Sequence, residues 1–246
     1  MDSFGVVAQI SRPSFICPPS PQRHIHKRCA QVFFLKVTAT ILILIISLSK
    51  SYGQVTLGTG IVKIEFDDKT VIDFYKRPTD KSHDKRIEFF DDKEINSWNI
   101  KNLETERTWL KPEVLWLDYS QFNFRCKATT ADWLELIVSN ENGMTLWVRR
   151  TKATKYLTWE EYLKDMFGVD RLESYKQKIR KLPSDTADEI KYEGRDCFEV
   201  KSLKGDWIEI NSTDHCDEGI SKTKIDSGWI RWRDGEKLLI VYYSTS

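Results

Sequence analysis

The chain has 246 residues, 40% of them apolar and 30% charged, with nine tryptophans. That is the composition of a folded chain with room for one large domain or two small ones, and it excludes an intrinsically disordered protein. Six of the 38 basic residues but only one of the 37 acidic ones lie within residues 1–53, so the remainder carries 32 basic against 36 acidic residues. A slightly acidic body excludes nucleic acid as the main partner, because phosphate binding needs clustered positive charge.

Residues 1–53 read as a targeting segment. Residues 37–49 form an uncharged apolar run of signal-peptide length, preceded by Lys27, Arg28 and Lys36. The run falls short of the ~20 apolar residues of a membrane span. Lengthening it back to Val32 takes in Lys36, which is tolerated only near an interface. Ser51 and Gly53 put small residues at −3 and −1 of a cut before Gln54. Export to the periplasm or the extracellular space is expected, with cleavage near Gly53. The alternative is an uncleaved anchor through residues 32–49, the one route by which the chain would meet a membrane. Pro13, Pro18, Pro19 and Pro21 sit in an aperiodic stretch, and the natural start is expected near Phe34 or Leu35. Cys29 precedes the apolar run, the wrong side for a lipidated mature cysteine.

An internal repeat organises the body. Phe124-Arg-Cys-Lys127 precedes Asp132-Trp-Leu-Glu-Leu136, and Phe198-Glu-Val-Lys201 precedes Asp206-Trp-Ile-Glu-Ile210, at identical spacing. Downstream of each lies a second tryptophan element, Leu146-Trp-Val-Arg149 and Gly228-Trp-Ile-Arg231. Upstream lie two similar turns, Lys76-Arg-Pro-Thr-Asp80 and Lys181-Leu-Pro-Ser-Asp185. The first copy carries about 31 extra residues, within about 84–119, rich in aromatics: Phe89, Phe90, Trp98, Trp109, Trp116 and Tyr119.

The repeated segments read as strands. Alternation places Leu134 and Leu136 on one face and Trp133 and Glu135 on the other, and Trp207 and Glu209 likewise stand opposite Ile208 and Ile210. Ser139–Gly143 is a turn signal joining strands at 133–138 and 145–149. Asp234-Gly235 predicts a second hairpin, joining 229–233 to 237–243, whose apolar second arm is expected to be a well-covered terminal strand. Thr158-Trp-Glu-Glu161 is a capping box, and Trp159, Tyr162, Leu163 and Met166 form a helical stripe ending near Gly168.

These motifs resemble the bacterial Src-homology-3 (SH3) domain family. Ile179-Arg-Lys-Leu-Pro-Ser184 is similar to that family's opening turn, and Phe74-Tyr-Lys-Arg-Pro-Thr79 is a more distant version of it. Gly205-Asp-Trp-Ile-Glu-Ile210 and Gly228-Trp-Ile230 resemble its second and closing motifs. In the first copy Leu146 replaces the closing glycine. The resemblance implies a mainly β fold of two small SH3-like barrels joined by a short helical linker. The first barrel would span 54–157 with an insert at about 84–119, the linker 158–175, and the second barrel 176–246.

In the resembled fold a tryptophan at the place of Trp133 and Trp207 lines a shallow aromatic groove for peptides or wall fragments, with Glu135 and Glu209 beside it and Tyr75 extending the first groove. The expected function is therefore a non-enzymatic exported module that binds a cell-envelope peptide, peptidoglycan or a protein partner. The other reading is a structural adaptor, with Trp133 and Trp207 packed against the neighbouring barrel or the insert. Exposure of the two rings separates these readings. Trp229 and Trp232 are expected to help close the second barrel.

Catalysis is not expected. The body holds two histidines, His83 and His215, in polar stretches, and no serine elbow, phosphate loop or zinc-protease motif. Cys126 falls inside a predicted strand. Peptidases do occur fused to such barrels, which leaves an accessory role beside a cell-wall hydrolase as the least favoured reading. The loop at 211–218 lacks both calcium and zinc ligand spacing, so no metal and no cofactor are expected. Cys126, Cys197 and Cys216 are too sparse for a disulfide framework. Cys197 and Cys216 can pair in an oxidising compartment, and the alternative of buried or unpaired thiols stands beside this.

Overall fold

A computed structural model describes residues 55–213 and 224–244. The apolar run at 37–49 and the loop residues 214–223, with His215 and Cys216, lie outside the described residues. The body is mainly β, with a sheet curled into half a barrel. The first part holds β1 (Gly60–Ile64), β2 (Val71–Phe74), β3 (Lys85–Asp92), β4 (Ser97–Ile100), β5 (Val114–Trp116), β6 (Gln121–Thr129), β7 (Trp133–Ile137), β8 (Thr145–Arg149) and β9 (Thr154–Thr158). A helix, Trp159–Lys164, leads into β10 (Gly168–Arg171), β11 (Ile179–Arg180), β12 (Glu189–Ile190), β13 (Phe198–Lys204), β14 (Trp207–Ser212), β15 (Gly228–Arg231), β16 (Arg233–Asp234), β17 (Lys237–Leu238) and β18 (Ile240–Tyr243).

The sequence repeat is a repeat of strand order. One sheet runs β9-β1-β6-β7-β8 and the other β18-β10-β13-β14-β15, with antiparallel neighbours throughout. Each has a register shift at the same motif position, around Lys127 in β6 and around Lys201 in β13. A bulge there bends the long strand and lets the sheet curl. The recurring phenylalanines, Phe124 and Phe198, are fully buried. The recurring aspartates serve the turn through their carbonyls: Asp132 accepts from the Arg150 amide at 2.8 Å and Asp206 from the Trp232 amide at 3.0 Å.

Two apolar clusters lie beneath these sheets. The first joins Phe74, Phe122, Phe124, Leu134 and Val148 to side chains of the insert, among them Ile87, Phe89, Ile100 and Trp109. The three-stranded sheet β2-β3-β4 carries much of this insert. The second gathers Phe198, Ile208, Ile210, Ile230 and Trp232 with the whole predicted helical stripe, Trp159, Tyr162, Leu163 and Met166. Strand β1 serves both. Its alternation sends Val62 and Ile64 into the first cluster and Ile61, with the preceding Leu57, into the second. A strand buried on both faces reads as a continuous apolar run, not an alternating one.

The helix begins as expected. The Thr158 hydroxyl accepts from the Glu161 amide at 3.2 Å, and Glu161 accepts from the Thr158 amide at 2.8 Å. The stretch 158–175 holds this helix and also β10, the strand between β13 and β18. A boundary at 176 therefore falls inside the second sheet. The terminal hairpin departs from its expectation too. Asp234-Gly235 does turn the chain, with Gly235 at φ 57°, but only β16 and β17 pair across it. One further backbone bond, from the Leu239 amide to the Trp232 carbonyl at 2.9 Å, joins the arms before β18 leaves to pair with β10. Strand β18 buries Ile240 while Val241 and Tyr243 are exposed. A six-residue apolar run, Leu238–Tyr243, cannot distinguish one long hairpin from a strand that changes partner, because both need the same composition.

Candidate functional site

Strands β7 and β14 place Trp133 and Trp207 at equivalent points, opposite Arg149 on β8 and Arg231 on β15. In both copies the arginine lies over the indole, at 4.4 Å from Arg149 to Trp133 and 5.0 Å from Arg231 to Trp207. This is cation–π geometry, with the long side chain shielding the ring. Each tryptophan is consequently only 9% exposed. Neither ring is the open platform expected of an aromatic groove. Each ring meets the facing arginine and, for Trp133, the Tyr75 ring, while the Trp133 backbone amide donates to the Thr130 hydroxyl at 3.0 Å. Alternation alone could not show this, since it places a ring on a face without saying what lies over it.

Glu135 and Glu209 are engaged in the same way. Glu135 accepts from Lys127 at 3.0 Å and from the Thr145 hydroxyl at 2.8 Å. Glu209 accepts from Ser202 and Ser227, both at 2.8 Å. Both carboxylates hold same-face neighbours on the outer surface of the sheet.

The two copies diverge beside the tryptophans. The backbone of Tyr75 bridges to Trp147 on β8, and Arg180 on β11 pairs with Trp229 on β15, so Tyr75 and Arg180 occupy the same place. In the first copy the Tyr75 ring packs edge-on against Trp133, centroids 5.2 Å apart, and closes the surface. In the second copy an arginine stands there, and a cleft of about 290 Å³ opens beside Trp207. Lys176, Lys178, Arg180, Asp185 and Arg231 line it with Trp207, and the half-exposed ring of Tyr175 forms part of its rim. Four cations face a single carboxylate. Asp185 is paired with Arg231, which holds the carboxyl below the usual carboxylate range.

The cleft wall is fixed by Gln177. Its amide donates to the Arg231 carbonyl at 2.6 Å and its carbonyl accepts from the Arg231 amide at 2.7 Å. The side chain thus completes a strand-like pair of bonds and sets the backbone on which Lys176 and Lys178 stand. Sequence reasoning found Trp207 but missed Arg180, Lys176 and Gln177. The signal available was the mismatch of Tyr75 and Arg180 within otherwise matching turn motifs.

Cys197 is disulfide-bonded, and its expected partner Cys216 lies outside the described residues. Cys126 is a free, buried thiol that contacts the Ala128 carbonyl at 3.3 Å. Trp232 is 2% exposed and donates to the Gly205 carbonyl at 3.0 Å, sealing one end of the second cluster, while Trp229 is half-buried. Compared with family models, curated proteins and solved structures, the chain matches none of them.

Proposed function

We propose that the chain is an exported, non-enzymatic binding protein of two SH3-like barrels, and that it recognises a cell-envelope peptide, glycan or protein through the second barrel. The observation that carries this reading is the cleft beside Trp207, in the copy where Arg180 replaces the covering Tyr75. Duplicated modules commonly keep their framework and differ at a surface site, and here the framework contacts recur while the Tyr75 ring that packs on Trp133 gives way to Arg180 beside Trp207. The matching strand order of the two sheets supports the resemblance to SH3 domains. The targeting character of residues 1–53 supports export. Burial pushes the Cys126 thiol up to about 11, so it is protonated at neutral pH, which speaks against a cysteine nucleophile.

The experiment is retention of the purified protein on peptidoglycan and on immobilised envelope extract, beside an Arg180→Tyr variant that rebuilds the closed surface of the first copy. Retention that is lost in the variant supports the cleft. Equal retention of both proteins sinks it. The adaptor reading is favoured by a different observation: Glu113 near β5 and Tyr242 on β18 are hydrogen-bonded to each other across the two halves. In that reading the joint is this polar contact beside the shared strand β1, whose faces enter both clusters, and not the work of Trp133 and Trp207.

A further inference from the structure

The chemistry of the cleft narrows what it takes, on the reading that the cleft is the binding site. Its lining carries Lys176, Lys178, Arg180 and Arg231 against Asp185 alone, although the body as a whole is slightly acidic. The cations are not all committed. Lys178 pairs with Glu189 at 2.7 Å and Arg231 with Asp185. Lys176 is exposed and makes no ion pair among the described residues. Arg180 uses one donor on the Ala187 carbonyl at 2.9 Å, which leaves most of its five donors for a ligand. Asp185 is exposed and sits on the half-buried Arg231, the place an incoming carboxylate would share or take over.

Charge of one sign focused in a cleft with low-dielectric walls raises the local concentration of the opposite sign. The aromatic rings of Tyr175 and Trp207 add apolar surface beside the donors, which suits a chain with carbon between its charges better than a bare inorganic ion. We propose that the cleft at Trp207 takes a carboxylate-bearing peptide segment, with Arg180 and Lys176 as its charge contacts and Arg231 held ready on the indole. Tyr75 closes the equivalent place in the first copy, so binding is one peptide per chain.

The test is a calorimetric titration of the purified protein with hexaglutamate, with hexaglutamine and with inorganic phosphate, at low and high salt. Hexaglutamate should bind with one site and weaken as salt rises, and hexaglutamine and phosphate should bind at least ~tenfold more weakly, equivalent to about 1.4 kcal/mol. Lys176→Glu, on an exposed side chain with no ion pair among the described residues, and Arg180→Tyr should each weaken hexaglutamate by a similar factor. Lys93→Glu, exposed on the insert, should leave it unchanged. Hexaglutamine binding as tightly as hexaglutamate overturns the charge assignment and leaves a cleft for neutral ligands. Phosphate competing as well as hexaglutamate overturns the peptide assignment. Hexaglutamate that does not bind, or that binds equally to both cleft variants, overturns the inference outright, whereas retention on envelope material judges the cleft separately.

Discussion

Replacing Glu113 by alanine tests whether the two halves are locked into one folding unit. The carboxylate sits between them, 8% exposed, and its partner Arg125 on β6 is 14% exposed. It accepts from Arg125 Nε at 2.6 Å and Nη2 at 3.3 Å, from the Asn140 amide at 2.6 Å and from the Tyr242 hydroxyl on the last strand. Truncation leaves a buried guanidinium, an amide and a phenol without their acceptor. Removing one partner of a buried ion pair costs about 3–5 kcal/mol. For a body of this size each kcal/mol moves Tm by about 2–4 °C, so the fall should be roughly 6–20 °C. Tyr242→Phe removes one bond to a charged acceptor and should cost about 1.5–3 kcal/mol. Urea melts of both variants and of the double variant give the coupling energy. Because both act on one carboxylate, the double variant should lose less than the sum of the two. Strict additivity, or a Tm fall under about 3 °C for Glu113→Ala, would refute a latch at this place. Glu113→Leu with Arg125→Met should recover the share lost at the ion pair, since a well-packed apolar pair replaces it at little cost, but not the share of Asn140 and Tyr242, which still lack an acceptor.

Four further outcomes follow from the same contacts. Trp133→Ala should destabilise by about 3–5 kcal/mol, as a buried aromatic does; a thermal melt within about 1 kcal/mol of the native protein would mean that the ring is not covered as described. At Gly60 an added Cβ would lie 2.1 Å from the Leu157 carbonyl oxygen, so Gly60→Ala must push β9 off β1. It should cost more than the ~1–2 kcal/mol of strain set by Gly205→Ala, where φ is 61° but nothing lies within 4 Å. Acid should weaken the fold. Hydrogen bonds hold Asp73 (to Arg86) and Glu236 (to the Leu57 amide) below their ordinary values of 3.8 and 4.5. Their contribution is complete above those values and is lost as pH falls through the depressed folded ones, so Tm should be flat near neutrality and drop below about pH 4.5. Asp170 goes the other way: desolvation raises its folded value, so it binds its proton more tightly when folded and its charge opposes folding at neutral pH. Asp170→Asn should therefore raise Tm at pH 7 and have little effect in acid, and equal shifts at both would contradict the assignment.

Local features of the fold were legible because they depend on neighbours in sequence. The capping box at Thr158, the buried face of Trp159, Tyr162 and Leu163 and the turn at Ser139–Gly143 each need only a few consecutive residues and stand where the sequence puts them, although the helix stops at Lys164, short of Met166 and Gly168. The repeat was legible as well, since Phe, Lys, Asp, Trp and Glu recur for structural reasons: a core ring, a bulge, a turn carbonyl, an arginine-covered indole and a carboxylate satisfied on the outer face. What the tertiary structure alone decided is which partner each surface meets. Period-two alternation says that Trp133 and Trp207 share a face, and no sequence pattern says that Arg149 and Arg231 lie across them from the next strand. The apolar run at the C-terminus could equally extend a hairpin or cross to β10, and the choice rests on the free edge of β10, about seventy residues earlier in the chain. Strand β1 belongs to both clusters because its two faces meet different halves, and a strand's sequence records only that both are apolar. The cleft at Trp207 was hidden for the same reason: Tyr75 and Arg180 are ordinary turn-flanking residues until the sheets bring each beside its tryptophan, one covering the ring and the other leaving a charged opening.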